Sequence, residues 1–422
     1  MNRLRIIEAL YRHPLSSRGD LARDTQLSRA TVSTLVEEMV RAGLVEEGTG
    51  PGPSGAGIEG GVGRPPVLLS LVSGAAFALG LDFGHTHIRV ALCDLSGEPV
   101  VDDYSLAEVD HAPSESLDLA QRLVDDALDT AGVAPDRLLG VGMGLAAPIN
   151  KATGNLEADG ILPGWHGIRP AAEMEARLGI PVALDNDANL GALGEKAFGA
   201  ARGVDDLVYI RLSAGIGAGI IIAGQPYQGH VGVAGEIGHV LSDPHGPICR
   251  CGNRGCLETI ASPVAVAALL QRSLRQPITV PRLLELVAEG DRGARRAVAD
   301  AGEAVGQALS TVVNILNPEL VVVGGYPAQA GDILVSPIAA AIERHSVAPA
   351  AAAVRVTAGM LGPRAEVLGA AALILAKSPR ALLPRLETYR GPTLSHTSHE
   401  DRTVFARPGG GQRSVQATSQ PR

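Results

Sequence analysis

Between Val233 and Glu258 the chain holds three of its four cysteines, with His239 ahead of them, and two glutamates: Glu236, His239, Cys249, Cys251, Cys256 and Glu258. Three thiolates and one imidazole are a complete tetrahedral donor set for Zn²⁺. The spacing is a Cys-x-Cys pair, a third cysteine five residues on, and a histidine ten residues ahead of the first. Buried thiols with no metal behave as small hydrophobes. The glycines and polar residues of this stretch suit a metal knuckle better than a core. Four protein ligands leave no open position for a catalytic water, so the zinc is expected to be structural, fixing the loop that carries Glu236 and Glu258.

A chain of 422 residues buries more than one core. It is 45% hydrophobic and 3% aromatic with 52 glycines, which suits an α/β protein rich in tight turns. The net charge of -9 gives no general affinity for nucleic acid. Clustered cysteines argue against a disulfide scaffold and for a reducing compartment. There is no apolar signal core at the start and no apolar run of membrane-span length, so a cytoplasmic protein with no membrane partner is expected.

Residues 1–75 read as a DNA-binding head. Leu4, Ile7, Leu10 and Tyr11 have helical spacing, and His13-Pro14 ends that helix. Ser16 or Ser17 caps a short second helix. After a turn, Ser28 caps a third helix that buries Val32, Leu35, Val36, Met39 and Val40. Its other face carries Arg29, Ala30, Thr31, Ser33, Thr34 and Glu37. Gly43 ends it, and Leu44-Val45-Glu46 reads as a strand. This is the winged helix-turn-helix order, with the third helix entering the major groove by its N-terminal end. Residues 1–48 hold seven arginines and seven acidic residues, so phosphate contacts fall to Arg18, Arg23, Arg29 and helix N-termini. Leu15–Ala22 followed by Leu27–Ser33 resembles bacterial winged-helix repressors. The Gly- and Pro-rich stretch from Gly48 to Gly63 is expected to be a mobile wing tip, with Arg64 placed for a narrow minor groove.

Residues 76–378 read as strands running into glycine turns. Phe77–Gly84 and Ile88–Asp94 form a hairpin, which is similar to the first phosphate loop of the actin-like ATPase and sugar-kinase superfamily. That similarity gives Asp82, Gly84 and Thr86 to a nucleotide loop. Pro181–Asn189 is a strand ending in carboxylates and amides, where open α/β sheets bind ligands. There Asp187 can take a proton from a sugar hydroxyl and Asn186 can donate to another; the competing account is an Asx cap on the next helix. Ser213–Gly219 resembles the second phosphate loop, with Gly215 and Gly217, and Gly324-Gly325 the nucleoside loop. Residues 379–422 are too polar to bury a core and are expected to be disordered.

Val233–His239 with the spacing of Cys249, Cys251 and Cys256 and with Leu257-Glu258 resembles the signature of the ROK family (repressors, open reading frames and kinases). The resemblance spans residues 1 to about 378. It implies two actin-like lobes around a cleft that closes on sugar, behind a winged helix-turn-helix head. It implies that zinc is held by His239, Cys249, Cys251 and Cys256 (loop 239–256). Asn186, Asp187, Glu236, His239 and Glu258 would line the sugar site, with Asp187 the base wherever there is catalysis. His239 serves both sites only by giving one ring nitrogen to each.

The chain departs from the kinases of that family in all three nucleotide loops. His85 stands where a second glycine is usual, Ser213, Ala214 and Ala218 replace residues of the second loop, and Tyr326 stands where a third glycine is common. An intact sugar site, a lapsed site for ATP and Mg²⁺ and a DNA-binding head describe a sugar-responsive transcriptional regulator, a repressor of carbohydrate metabolism. Its partners would be operator DNA, a monosaccharide or phosphosugar effector, and further copies of itself in a dimer or tetramer. The alternative is an ATP-dependent hexose kinase with a fused head.

Overall fold

The computed structural model describes residues 1–48, 67–156 and 160–384. The wing tip with Arg64 and the tail from residue 385 lie outside them.

The head consists of α1 (Asn2–Arg12), β1 (Ser16–Ser17), α2 (Arg18–Thr25), α3 (Arg29–Arg41), β2 (Val45–Gly48) and β3 (Leu68–Leu71). Ser17 starts α2 with a capping box: its hydroxyl accepts from the Asp20 N–H, and the Asp20 carboxylate accepts from the Ser17 N–H at 3.1 Å. Ser28 caps α3 by accepting from the Thr31 N–H at 3.1 Å. Helix α3 buries Val32, Val36 and Met39, and Leu35 is half-buried. Val40, expected in the core, is 36% exposed, because it lies one residue past Met39 and rotates off the buried stripe. Strands pair antiparallel in the order β1-β3-β2, giving a three-stranded wing sheet in which the two-residue β1 is an addition to the expected pair.

The body repeats one plan twice. Strands β4 (Phe77–Phe83), β5 (His87–Asp94) and β6 (Pro99–Leu106) form a meander, and after α4 (Pro113–Ala131) come β7 (Leu138–Leu145), α5 (Pro170–Leu178) and β8 (Val182–Asn186). The sheet order is β6-β5-β4-β7-β8, with β7 and β8 parallel to β4. Helix α6 (Asp187–Phe198) leads to β9 (Leu207–Leu212), β10 (Ile216–Ile222) and β11 (Gln225–Pro226). Helices α7 (Glu258–Ala261), α8 (Pro263–Leu274), α9 (Val280–Glu289) and α10 (Arg292–Leu316) precede β12 (Leu320–Gly324), α11 (Asp332–His345), α12 (Ala348–Ala353) and β13 (Arg355–Ala358). This second sheet has the order β11-β10-β9-β12-β13, again a meander extended by parallel strands.

Each sheet has its own apolar core. Trp165 anchors the first: it is fully buried, sits edge-on to Phe83 at 5.9 Å, and donates its indole N–H to the Val109 carbonyl at 2.7 Å. Helices α6 and α13 (Ala365–Leu375) pack on each other between the sheets, α13 against β4 and β7, α6 against β9 and β10. Helix α14 (Ser378–Ala381) follows α13 and touches α1, and Leu382 is buried in the core shared with the head. Among the described residues no helix is long and apolar enough to cross a membrane.

Candidate functional site

The metal stretch folds back on itself through a bridge between Leu241 and Cys256 and another between Ile248 and Arg254. This brings together ligand atoms of His239, Cys249, Cys251 and Cys256, all within 4.8 Å of one another. The Cys251 and Cys256 sulfurs are 3.7 Å apart, and the Cys249 sulfur is 3.6 Å from His239 Nδ1. A disulfide would hold its sulfurs at about 2.05 Å. A tetrahedron of bonds near 2.3 Å has an edge of about 3.8 Å, so the donor set fits Zn²⁺. Burial first, and then hydrogen bonds from Cys251 and Cys249, push the Cys256 thiol up to about 12. A bound cation would counter this by stabilising thiolates. His239 turns its other nitrogen, Nε2, towards Glu236 at 3.7 Å.

One cleft between the sheets is lined by Asn186, Asp187, Glu236, His239 and Glu258, together with His85, Arg211, Gly215, Gly217 and Arg250. The structure therefore gathers all five residues named for the sugar site from three separate segments. Asn186 is the cap of α6: its side chain accepts from the Ala188 N–H at 2.9 Å, and its amide donates to the Ala147 carbonyl at 3.1 Å. Asp187 begins the same helix and is buried. Burial raises its carboxyl above the usual range, and the Arg211 guanidinium opposes that. Glu258 accepts from the Ile216 N–H at 3.0 Å and from Arg250 Nε at 3.0 Å. Glu236 is pushed up to about 7, by burial first and then by the charges of Asp187 and Glu258. The open space among these groups is about 40 Å³, enough for a few waters and less than a monosaccharide occupies.

Arg211 was not foreseen. It pairs with Asp187 at 2.8 Å and with Glu366 at 2.9 Å, and Glu366 also accepts from the Tyr209 hydroxyl at 3.0 Å. All of these groups are buried, and the two carboxylates hold the guanidinium in its charged form. The signal was present in sequence: Arg211 is the one charge in the apolar strand Leu207–Leu212, and Glu366 the one charge in the apolar helix Ala365–Leu375. A buried charge on each of two apolar elements calls for a partner.

The glycines expected in nucleotide loops face the protein's own atoms. A Cβ at Gly84 would collide with the His87 imidazole, and one at Gly215 with the Glu258 carboxylate and Arg250. Gly217 lies against Ala188, Gly324 against the Tyr209 ring, and Gly325, at φ 83°, against the Leu212 carbonyl. Asp82 is buried, with one oxygen 3.3 Å from His87 Nε2 and the other without a hydrogen-bond partner. His85 is tied to Asp110 at 2.8 Å, and Thr86 is exposed at the hairpin tip.

In the head, Arg29, Ala30 and Thr34 are exposed on α3, and Thr31 and Ser33 are half-buried. Ser28 is engaged as the cap, and Arg18 is paired with Glu47 at 2.5 Å. Arg23 is paired with Asp20, which leaves Arg29, among the described residues, as the arginine of the three with no ion pair.

Two sheets of one plan around a cleft, with a Cys/His cluster that could hold a metal at its rim and a winged helix in front, define a two-lobed sugar-kinase-like protein with a DNA-binding head. Residues 78–377 match the ROK family, and residues 1–53 match the MarR family. The chain belongs to the ROK family. It is 30% identical over 389 residues to the xylose repressor of Caldicellulosiruptor bescii, covering 89% of this chain and 95% of the repressor. It is 31% identical over 312 residues to the glucokinase of Thermotoga maritima, covering 70% of this chain and 96% of the kinase. A crystal structure described as a ROK family transcriptional regulator, homologous to the Mlc protein of Escherichia coli, superposes with a TM-score of 0.75 at 26% identity, covering 91% of this chain and 98% of that one.

Proposed function

We propose that the chain is a sugar-responsive, DNA-binding transcriptional repressor that acts in the cytoplasm as a homo-oligomer. Its cleft takes a monosaccharide or phosphosugar, and its head takes operator DNA. The ion pair between Arg211 and Asp187 carries this reading. A general base must offer a free carboxylate to the hydroxyl it deprotonates, and a buried guanidinium at 2.8 Å occupies and stabilises that charge. The carboxylates of Glu236 and Glu258 remain as hydroxyl acceptors. The imidazole, carboxylate and guanidinium set against Gly84 and Gly215 fit poorly with loops that wrap phosphates. The similarity to the xylose repressor extends through the head, which the glucokinase match leaves out.

Zn²⁺ would be held by His239, Cys249, Cys251 and Cys256 and would supply a structural tie. With Nδ1 at the metal, His239 presents Nε2 towards Glu236 and the cleft, so the knuckle fixes the sugar-facing side chains. Operator contacts fall to the N-terminal end of α3, with Arg29 available for phosphate.

The glucokinase similarity and the retained Asp82 and Asp187 favour a second reading, an ATP-dependent hexose kinase. A coupled ATP-consumption assay on zinc-replete protein, across pentoses, hexoses and N-acetylhexosamines, separates the two. We expect no turnover with any sugar, together with a sugar-induced rise in melting temperature. Saturable turnover that is lost in Asp187→Ala would overturn the repressor reading in favour of the kinase.

A further inference from the structure

A sugar bound in the cleft can change operator binding only through something that touches both the cleft and the head. Helix α13 does so. Its first turn carries Glu366, held by Arg211 Nε at 2.9 Å and by the Tyr209 hydroxyl at 3.0 Å. Arg211 is in turn held by Asp187 in the cleft. Further along α13, Leu368, Ala371, Ile374 and Leu375 share one apolar core with Ile6, Ile7 and Leu10 of α1 and Leu69 of β3. The helix is thus anchored by charge to the cleft and by apolar contact to the head.

Its seat between those anchors is smooth. A Cβ at Gly80 of β4 would collide with the Val367 carbonyl, and one at Gly142 of β7 with the Ala370 carbonyl. A Cβ at Gly194 of α6 would collide with the Ala365 carbonyl, and one at Gly369 with the Leu190 carbonyl. At these four places backbone lies on backbone, with no side-chain ridge locked in a groove. Packed helices slide by small shear movements, and a ridge-free contact opposes sliding least.

We infer that the Arg211–Glu366 pair senses whether Asp187 is engaged by sugar and that α13 transmits the change to the DNA-binding head by shear. The inference rests on the sugar-responsive reading above. Arg211 divides one charge between two carboxylates. A sugar hydroxyl that takes up Asp187 weakens that half of the fork and draws the guanidinium towards Glu366. The first turn of α13 follows Glu366, and the far end of the helix carries α14, which packs on α1.

The test is a ratio of affinities, because coupling between two sites is a free energy shared by both ligands. Full-length protein is titrated by fluorescence anisotropy onto a duplex that the wild type has selected from a random DNA pool. The titration is made without sugar and with saturating D-xylose or D-glucose, whichever raises the wild-type melting temperature. The wild-type DNA affinity is expected to change about tenfold on adding sugar. In Glu366→Gln the change is expected to fall below about twofold, while sugar-free DNA affinity and calorimetric sugar affinity each stay within about threefold of wild type. Glu366→Asp is the second variant should the glutamine not fold. It keeps the charge but withdraws it from the guanidinium by about one C–C bond, 1.5 Å, and it too loses the ratio. An undiminished ratio in a folded variant overturns the inference and leaves the repressor reading standing. No ratio in the wild type overturns both. Loss of sugar affinity in the folded variants overturns the inference, because the pair would then belong to the sugar site itself.

Discussion

Replacing Arg211 with methionine isolates the charge at the centre of this site. The side chain is 11% exposed, and its partners Asp187 and Glu366 are 7% and 4% exposed. Methionine fills much of the volume, so the principal loss is the guanidinium. Breaking a buried pair by removing one partner costs about 3–5 kcal/mol. The orphaned carboxylates can instead take up protons, which limits the cost. Holding one carboxyl neutral at pH 7 against an ordinary value near 4 costs about 4 kcal/mol. The expected loss is therefore about 4 kcal/mol at pH 7, or on the order of 8 °C in melting temperature for a body of this size. The sign of the pH dependence follows. In the variant the native carboxyls titrate above their unfolded values of 3.8 and 4.5, so the native state binds more protons. Stability is then fullest below the unfolded values and is lost as pH rises towards the folded ones. The one carboxyl held neutral returns about 1.4 kcal/mol per pH unit on acidification, about 2.8 kcal/mol over two units, so the deficit should shrink to about a third by pH 5. Calorimetric melting of wild type and variant at the two pH values reads this directly. A deficit that is negligible at pH 7, or the same at pH 5, would refute the argument.

Three more predictions concern the knuckle and the cleft. Denatured wild type should release about one Zn²⁺ per chain to a chromogenic chelator, and Cys251→Ser should release little and melt several degrees lower; equal melting and equal zinc would remove Cys251 from the metal site. Glu258→Ala should weaken sugar binding by about tenfold or more, the worth of a charged hydrogen bond, with sugar-free DNA binding retained; unchanged calorimetric affinity would take Glu258 out of the sugar site. Glu236, pushed up to about 7, should hold its proton at pH 6 and accept hydroxyl hydrogen bonds better as a carboxylate at pH 8. Sugar affinity should therefore rise across that interval in wild type and stay flat in Glu236→Gln, and parallel profiles would exclude Glu236 as the titrating group.

Much of this was legible in the sequence because it depends on local pattern. The spacing of His239 and the three cysteines determines a donor set whatever surrounds it. Ser17 and Ser28 announce helix starts by chemistry that acts within one turn. Asn186 shows where local reading falls short: the sequence favours a ligand site over a helix cap there, and the structure shows Asn186 capping α6 while lining the cleft. The partnership of Arg211 and Glu366 was not legible, since 155 residues separate them and only the packing of α13 on α6, which itself lies against β9, brings them within reach. Arg250 was hidden for a different reason. Lying between Cys249 and Cys251, it reads as a solvated loop residue until the loop folds and turns it onto Glu258. The glycines at 84 and 215 fit phosphate loops and Gly324 a nucleoside loop by pattern, and only the neighbouring side chains show what fills the space beside them.

The central claim is that a sugar in the cleft changes how the head holds DNA without being phosphorylated. The most direct measurement is the anisotropy titration of zinc-replete, full-length wild type onto its selected duplex, with and without D-xylose or D-glucose, followed by mass analysis of the sugar recovered from the same samples with ATP and Mg²⁺ present. The account predicts a sugar-dependent shift in DNA affinity and sugar recovered unchanged. DNA binding indifferent to every sugar tested, with phosphorylated sugar recovered, would contradict it.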